Sequence, residues 1–101
     1  MDKSKIQKLL ILLDEAEQLV GQFTGGYSNR FIGAEEFHSA LKISIQKLRE
    51  GETTEIETLW IYFAPTCSWD DFVGLEGMEL GNEIFELLDA IKKSEIKNHT
   101  S

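Results

Sequence analysis

With 101 residues, 42% of them hydrophobic, one cysteine and one proline, the chain has the make-up of one globular domain; a disulfide scaffold, a low-complexity chain and an array of domains are excluded. A formal charge of −8 is the wrong sign for nucleic-acid phosphates or an anionic membrane, both of which need clustered lysine and arginine. The charge is also lopsided. Residues 1–50 hold seven acids and seven bases, residues 51–101 hold eleven acids and three bases, and no lysine or arginine occurs from Glu50 to Ile91.

The longest apolar run near the N-terminus, Leu9–Leu13, is too short for a signal-peptide core or a membrane span. The lone Cys67 fits a reducing compartment, so a cytoplasmic protein is expected. Asn98-His99-Thr100 matches a glycosylation acceptor, taken as a chance match in a chain without a secretory signal.

From Lys5 to Phe23, Ile6, Leu9, Leu10, Leu13, Ala16, Val20 and Phe23 recur at helical steps. Ser4 is the expected N-cap and Gly25-Gly26 the stop. Thr24–Gly33 is a connection rich in turn formers, with Tyr27, Phe31 and Ile32 expected to pack over one end of the fold. A second helix is predicted over Ala34–Glu50 from Phe37, Leu41, Ile45 and Leu48. Glu35 and Glu36 sit in its first turn, Lys47 and Arg49 in its last, and Gly51 follows it. His38 falls at the edge of its apolar stripe, a boundary position.

Thr54 and Glu57 match a capping box ahead of Ile56, Leu59, Trp60 and Phe63, predicting a short third helix up to Pro65. Leu59–Phe63 also has strand composition. Residues 65–77 read as irregular, with one turn over Trp69–Val73 capped by Ser68 and stopped by Gly74. Met78 to about Ser94 is the final helix, weakened near its start by Gly81, and residues 95–101 are a frayed tail. The predicted fold is therefore all-α: a small four-helix bundle in a single domain, 1–101, with an irregular aromatic and acidic loop before the last helix. The alternative is α+β with a strand at 59–63.

Carboxylates accept charge-assisted hydrogen bonds from lysine and arginine, and aromatics give large anchors at low entropic cost. On that logic Tyr62, Trp69, Asp70, Asp71, Glu76, Glu79, Glu83 and Glu86 form the candidate partner-binding surface, while Trp60 and Phe63 are assigned to the core. Glu79–Glu83 and Glu83–Glu86 are like-charge pairs at helical spacing, each costing about 0.2–0.5 kcal/mol. No base lies on that helix before Lys92 to offset them.

An enzyme is the competing class. Glu86-Leu87-Leu88-Asp89 resembles the ExxD element of all-helical, magnesium-dependent nucleotide pyrophosphohydrolases. The companion EExxE element is broken, because Ser39 stands three residues after Glu36. A Cys67 nucleophile would need His38 or His99 beside it, and a buried, inert thiol is the simpler reading. No catalytic residue, metal ligand or cofactor is assigned. A helical adaptor or homodimer is the third possibility.

In size, acidity and helix number the chain resembles the colicin nuclease immunity proteins, which carry tyrosines and carboxylates on a toxin-facing surface. Their Tyr-Tyr-Pro segment is replaced here by Tyr62-Phe63-Ala64-Pro65, and FAPTCSWDDFVG, from Phe63 to Gly74, has the look of another bacterial family's signature. The resemblance implies an immunity protein that occludes a basic bacterial toxin domain, most simply a nuclease.

Overall fold

The computed structural model describes residues 3–26, 28, 31–65 and 67–100, with side chains as far as Ser94. Helix α1 (Lys3–Val20) buries Leu9, Leu13, Ala16 and Val20, one stripe at three- and four-residue steps. Ser4 lies within this helix and does not cap it from outside. The helix ends before the expected Phe23, in a turn whose Gly21 and Gln22 amides donate to the Glu17 and Leu19 carbonyls.

Helix α2 (Ala34–Arg49) buries Phe37, Leu41, Ser44, Ile45 and Leu48. It stops as a Schellman motif: the Glu52 amide donates to the Lys47 carbonyl and the Gly51 amide to the Leu48 carbonyl, both at 3.0 Å. Gly51 sits at φ 94°, where a side chain would be strained. Helix α3 (Glu55–Phe63) buries Ile56, Leu59 and Phe63, so the segment 59–63 is helical. The strand alternative fails because that three-to-four spacing matches one helix face. Thr54 has helical dihedrals and makes no side-chain cap. The predicted capping box is absent, and Glu57 instead meets Lys92 at 2.9 Å.

Helix α4 (Ser68–Phe72) is a single turn, followed by a 3-10 turn over Gly74–Gly77 and helix α5 (Met78–Thr100). The expected cap at Ser68 is displaced by one residue, since Cys67 occupies that position. The bounds of α5 extend to Thr100.

The architecture is all-α, with no strand among the described residues. Helix α1 packs on α2, α2 on α3, α3 on α5 and α5 back on α1, closing a four-helix ring. Neighbours are antiparallel. Glu17 meets both His38 and Lys42 across α1–α2, while Trp60 meets Asp89 and Glu57 meets Lys92 across α3–α5. One seam is further pinned by the Lys92 ammonium 4.1 Å over the Trp60 ring, a cation–π contact of about 0.5–2 kcal/mol.

This up-down-up-down order puts both long connections, 21–33 and 64–77, at the same end of the bundle. They are locked together there. The buried Ser28 and Ser68 hydroxyls lie 3.1 Å apart, and the second connection is also tied to α2, where Phe72 stacks on Phe37 at 5.6 Å. The neck of the first connection is closed by Ala34 and Gly33 amides donating to the Gly25 and Gly26 carbonyls. No helix among the described residues is long and apolar enough to cross a membrane.

Candidate partner-binding surface

Trp69 is not a surface anchor. Its side chain is 1% exposed, tilted against Phe63 at 4.9 Å, and its indole N–H donates to the Gly77 carbonyl at 2.9 Å. Two glycines make room for it. A Cβ on Gly77 would lie 2.6 Å from Trp69 Cζ2, and one on Gly81 2.6 Å from Trp69 Cδ1. Gly81 is thus a slot for the indole, which explains a residue that helix propensity alone marks as a weakness. Trp69 belongs to the core because a single-turn helix too short to stand alone is held to α5 through that indole.

Tyr62 is half-buried and also faces inward, edge-on to Phe37 at 5.4 Å and to Phe31 at 5.6 Å. It lies at the α2–α3 seam. Of the three side chains expected to pack over this end, Phe31 does, Ile32 is 78% exposed, and Tyr27 lies outside the described residues.

The six carboxylates are all exposed but do not form one surface. Glu83 and Glu86 line a groove between α1 and α5 together with Lys8, Leu12, Leu87 and Ala90. That seam lies across the ring from Tyr62, and Lys8 brings to it from α1 a base that α5 lacks before Lys92. Asp70, Asp71, Glu76 and Glu79 sit instead on α4, the 3-10 turn and the first turn of α5, at the end built by the two long connections. Asp71, Glu76 and Glu79 make no ion pair among the described residues. The sequence-predicted constellation is therefore split, and its acidic core is this end of the bundle.

Glu35 and Asp89, also singled out by sequence, hold the fold. Glu35 Oε1 accepts the Gly25 amide at 2.9 Å, which, with a bond to its own amide, keeps its carboxyl below the usual range. Asp89 takes the Lys93 ammonium at 2.9 Å and the Trp60 indole N–H at 3.4 Å. The Lys93 hydrogen bond is the main cause of its lowered pKa. Glu86 and Asp89 thus face different neighbours, and Glu35 sits on another helix. No group of three or more His, Cys, Asp and Glu among the described residues is arranged to hold a metal ion. Cys67 is half-buried rather than buried, and His38 Nε2 is a buried nitrogen 3.3 Å from Glu17 at the α1–α2 seam.

Sequence reasoning missed two residues at the acidic end. Leu75 is 84% exposed and Met78 48% exposed, on either side of Glu76. Gly74, at φ 64°, ends α4 and starts the turn that carries Leu75. The signal was an apolar residue directly after a stop glycine, too brief to register as a pattern.

Fold and surface together define an all-α protein, four helices in a ring and a single-turn helix beside them, with one acidic, loop-bearing end. No protein-family model matches the chain, and neither a curated protein nor a solved structure matches it.

Proposed function

We propose that this chain is an immunity protein: a non-catalytic inhibitor that binds a basic bacterial toxin domain, in the simplest case a nuclease, and occludes it. The observation that carries the reading is the set Asp70, Asp71, Glu76 and Glu79, exposed together at one end of the bundle in a stretch with no lysine or arginine. A field of one sign speeds encounter with a basic partner and rejects acidic ones. Loop-bearing ends of rigid scaffolds are also where binding residues concentrate. The toxin as partner rests on the resemblance to immunity proteins in size, charge and helix number.

The test begins with the adjacent reading frames. A neighbouring gene ending in a basic domain supplies the partner to be purified. Association is then followed by stopped-flow fluorescence across a salt series, with the wild type and with the Asp70→Asn, Asp71→Asn, Glu76→Gln, Glu79→Gln variant. The on-rate should fall steeply with salt and drop about tenfold or more in the variant. An on-rate insensitive to both would remove the acidic end from the mechanism.

A further inference from the structure

Five large apolar side chains among the described residues are strongly exposed: Ile11, Ile32, Ile43, Leu75 and Met78. Ile11 lies on α1 and Ile43 on α2, away from both connections, and exposed apolar residues of this kind are ordinary in a small protein. The other three lie on the loop-bearing end, Ile32 in the first connection, Leu75 in the second and Met78 at the start of α5. Leu75 and Met78 are three residues apart across continuous 3-10 and α backbone, a spacing that puts two side chains on one face. Asp71, Glu76 and Glu79 flank them in the chain.

We infer that Leu75 and Met78 form an apolar docking point ringed by carboxylates, and that its occupant is an amphipathic basic segment of a partner protein, apolar side chains seated on the pair and lysines or arginines on the rim. This rests on the acidic end being the binding surface and names what that end recognises. Charge complementarity selects the occupant. A second copy of the chain would bring the same carboxylates face to face, and an anionic membrane would be repelled by them. A hydrophilic basic segment would leave the most exposed leucine of the fold unused. Met78 suits such a contact because its unbranched thioether adapts to differing partner shapes.

The test uses two synthetic helix-forming peptides of equal lysine content, one with leucines along one face and one with serines in their place. Binding to the full chain is measured by fluorescence anisotropy at physiological ionic strength. The leucine peptide should bind about tenfold more tightly than the serine peptide, the equivalent of about 1.4 kcal/mol. Leu75→Ser with Met78→Ser should abolish that difference and leave the serine peptide unaffected. Both sites are exposed, and circular dichroism verifies that the variant is folded. Equal affinity of the wild type for the two peptides, or an unchanged difference in the variant, overturns the apolar docking point and leaves the acidic surface standing. Failure of both peptides to bind the wild type overturns the basic-partner reading with it. Sedimentation that shows a dimer dispersed by the two serines assigns the patch to a second copy and refutes the inference.

Discussion

Replacing Gly81 by alanine separates two opposing effects. In a helix interior alanine is favoured over glycine by about 1 kcal/mol, so Gly81→Ala would stabilise α5 if only propensity acted. The structure sets a larger effect against it. The new Cβ would lie 2.6 Å from Trp69 Cδ1, deep inside van der Waals contact. The indole has nowhere to go, being 1% exposed, packed on Phe63 and hydrogen-bonded to Gly77. Overpacking of this kind costs about 1–3 kcal/mol, and if the ring shifts enough to lose its carbonyl the buried N–H adds about 1–3 kcal/mol. The net expectation is a destabilisation of about 2 kcal/mol, which for a domain of this size lowers Tm by about 8–16 °C. Thermal and urea unfolding followed by far-UV circular dichroism measure it, with the urea slope checking that the unfolded state is unchanged. Trp69→Phe combined with Gly81→Ala should cost clearly less than the two changes summed, because the smaller ring vacates the slot. A Gly81→Ala protein as stable as the wild type would refute the slot, and with it the placement of Trp69 in the core.

The two long connections give a second coupled pair. Ser28→Ala or Ser68→Ala alone leaves a buried hydroxyl unpartnered, at about 1–3 kcal/mol, and the double variant should cost less than the sum; strict additivity in urea melts would show that the 3.1 Å contact carries no energy. Acid should act through Glu35 and Asp89, whose folded pKa values lie below the ordinary ones. A depressed carboxylate contributes stability that is present above the unfolded pKa of about 4 and is lost as pH falls through the folded value. Melting temperatures should therefore decline on acidification below about pH 4, and less steeply in Glu35→Gln and Asp89→Asn. Parallel declines in all three proteins would contradict the assignment.

Regular helices were legible because their signal is local. The stripes of α1 and α2 and the glycine stop at Gly51 follow from periodicity and from one backbone conformation, and the sequence of α3 resolves once Ile56, Leu59 and Phe63 share a face. What was illegible depends on contacts distant in the chain. Thr54 and Glu57 have the letters of a capping box, yet Glu57 is drawn to Lys92, 35 positions on. Gly81 looks unfavourable until Trp69 is placed against it, and Trp69 looks like an anchor until Gly77 and Gly81 open a slot. Composition likewise could not tell that Lys8, far off in sequence, shares a groove with Glu83 and Glu86.

That last point changes which carboxylates ask for an explanation outside the fold. Glu57 and Asp89 are spent on the α3–α5 seam, Glu35 on the neck of a loop, and Glu83 and Glu86 have a lysine in their groove. Asp71, Glu76 and Glu79 have neither a basic partner among the described residues nor a capping bond, and with Asp70 they concentrate repulsion at one end of a protein already at −8. Such repulsion opposes the compact state. Neutralising Asp71, Glu76 and Glu79 to amides should therefore leave Tm unchanged or raised, while it slows association with a basic partner. A fold that instead lost stability on their removal would show that these carboxylates are structural, and the case for a binding end would rest on Leu75 and Met78 alone.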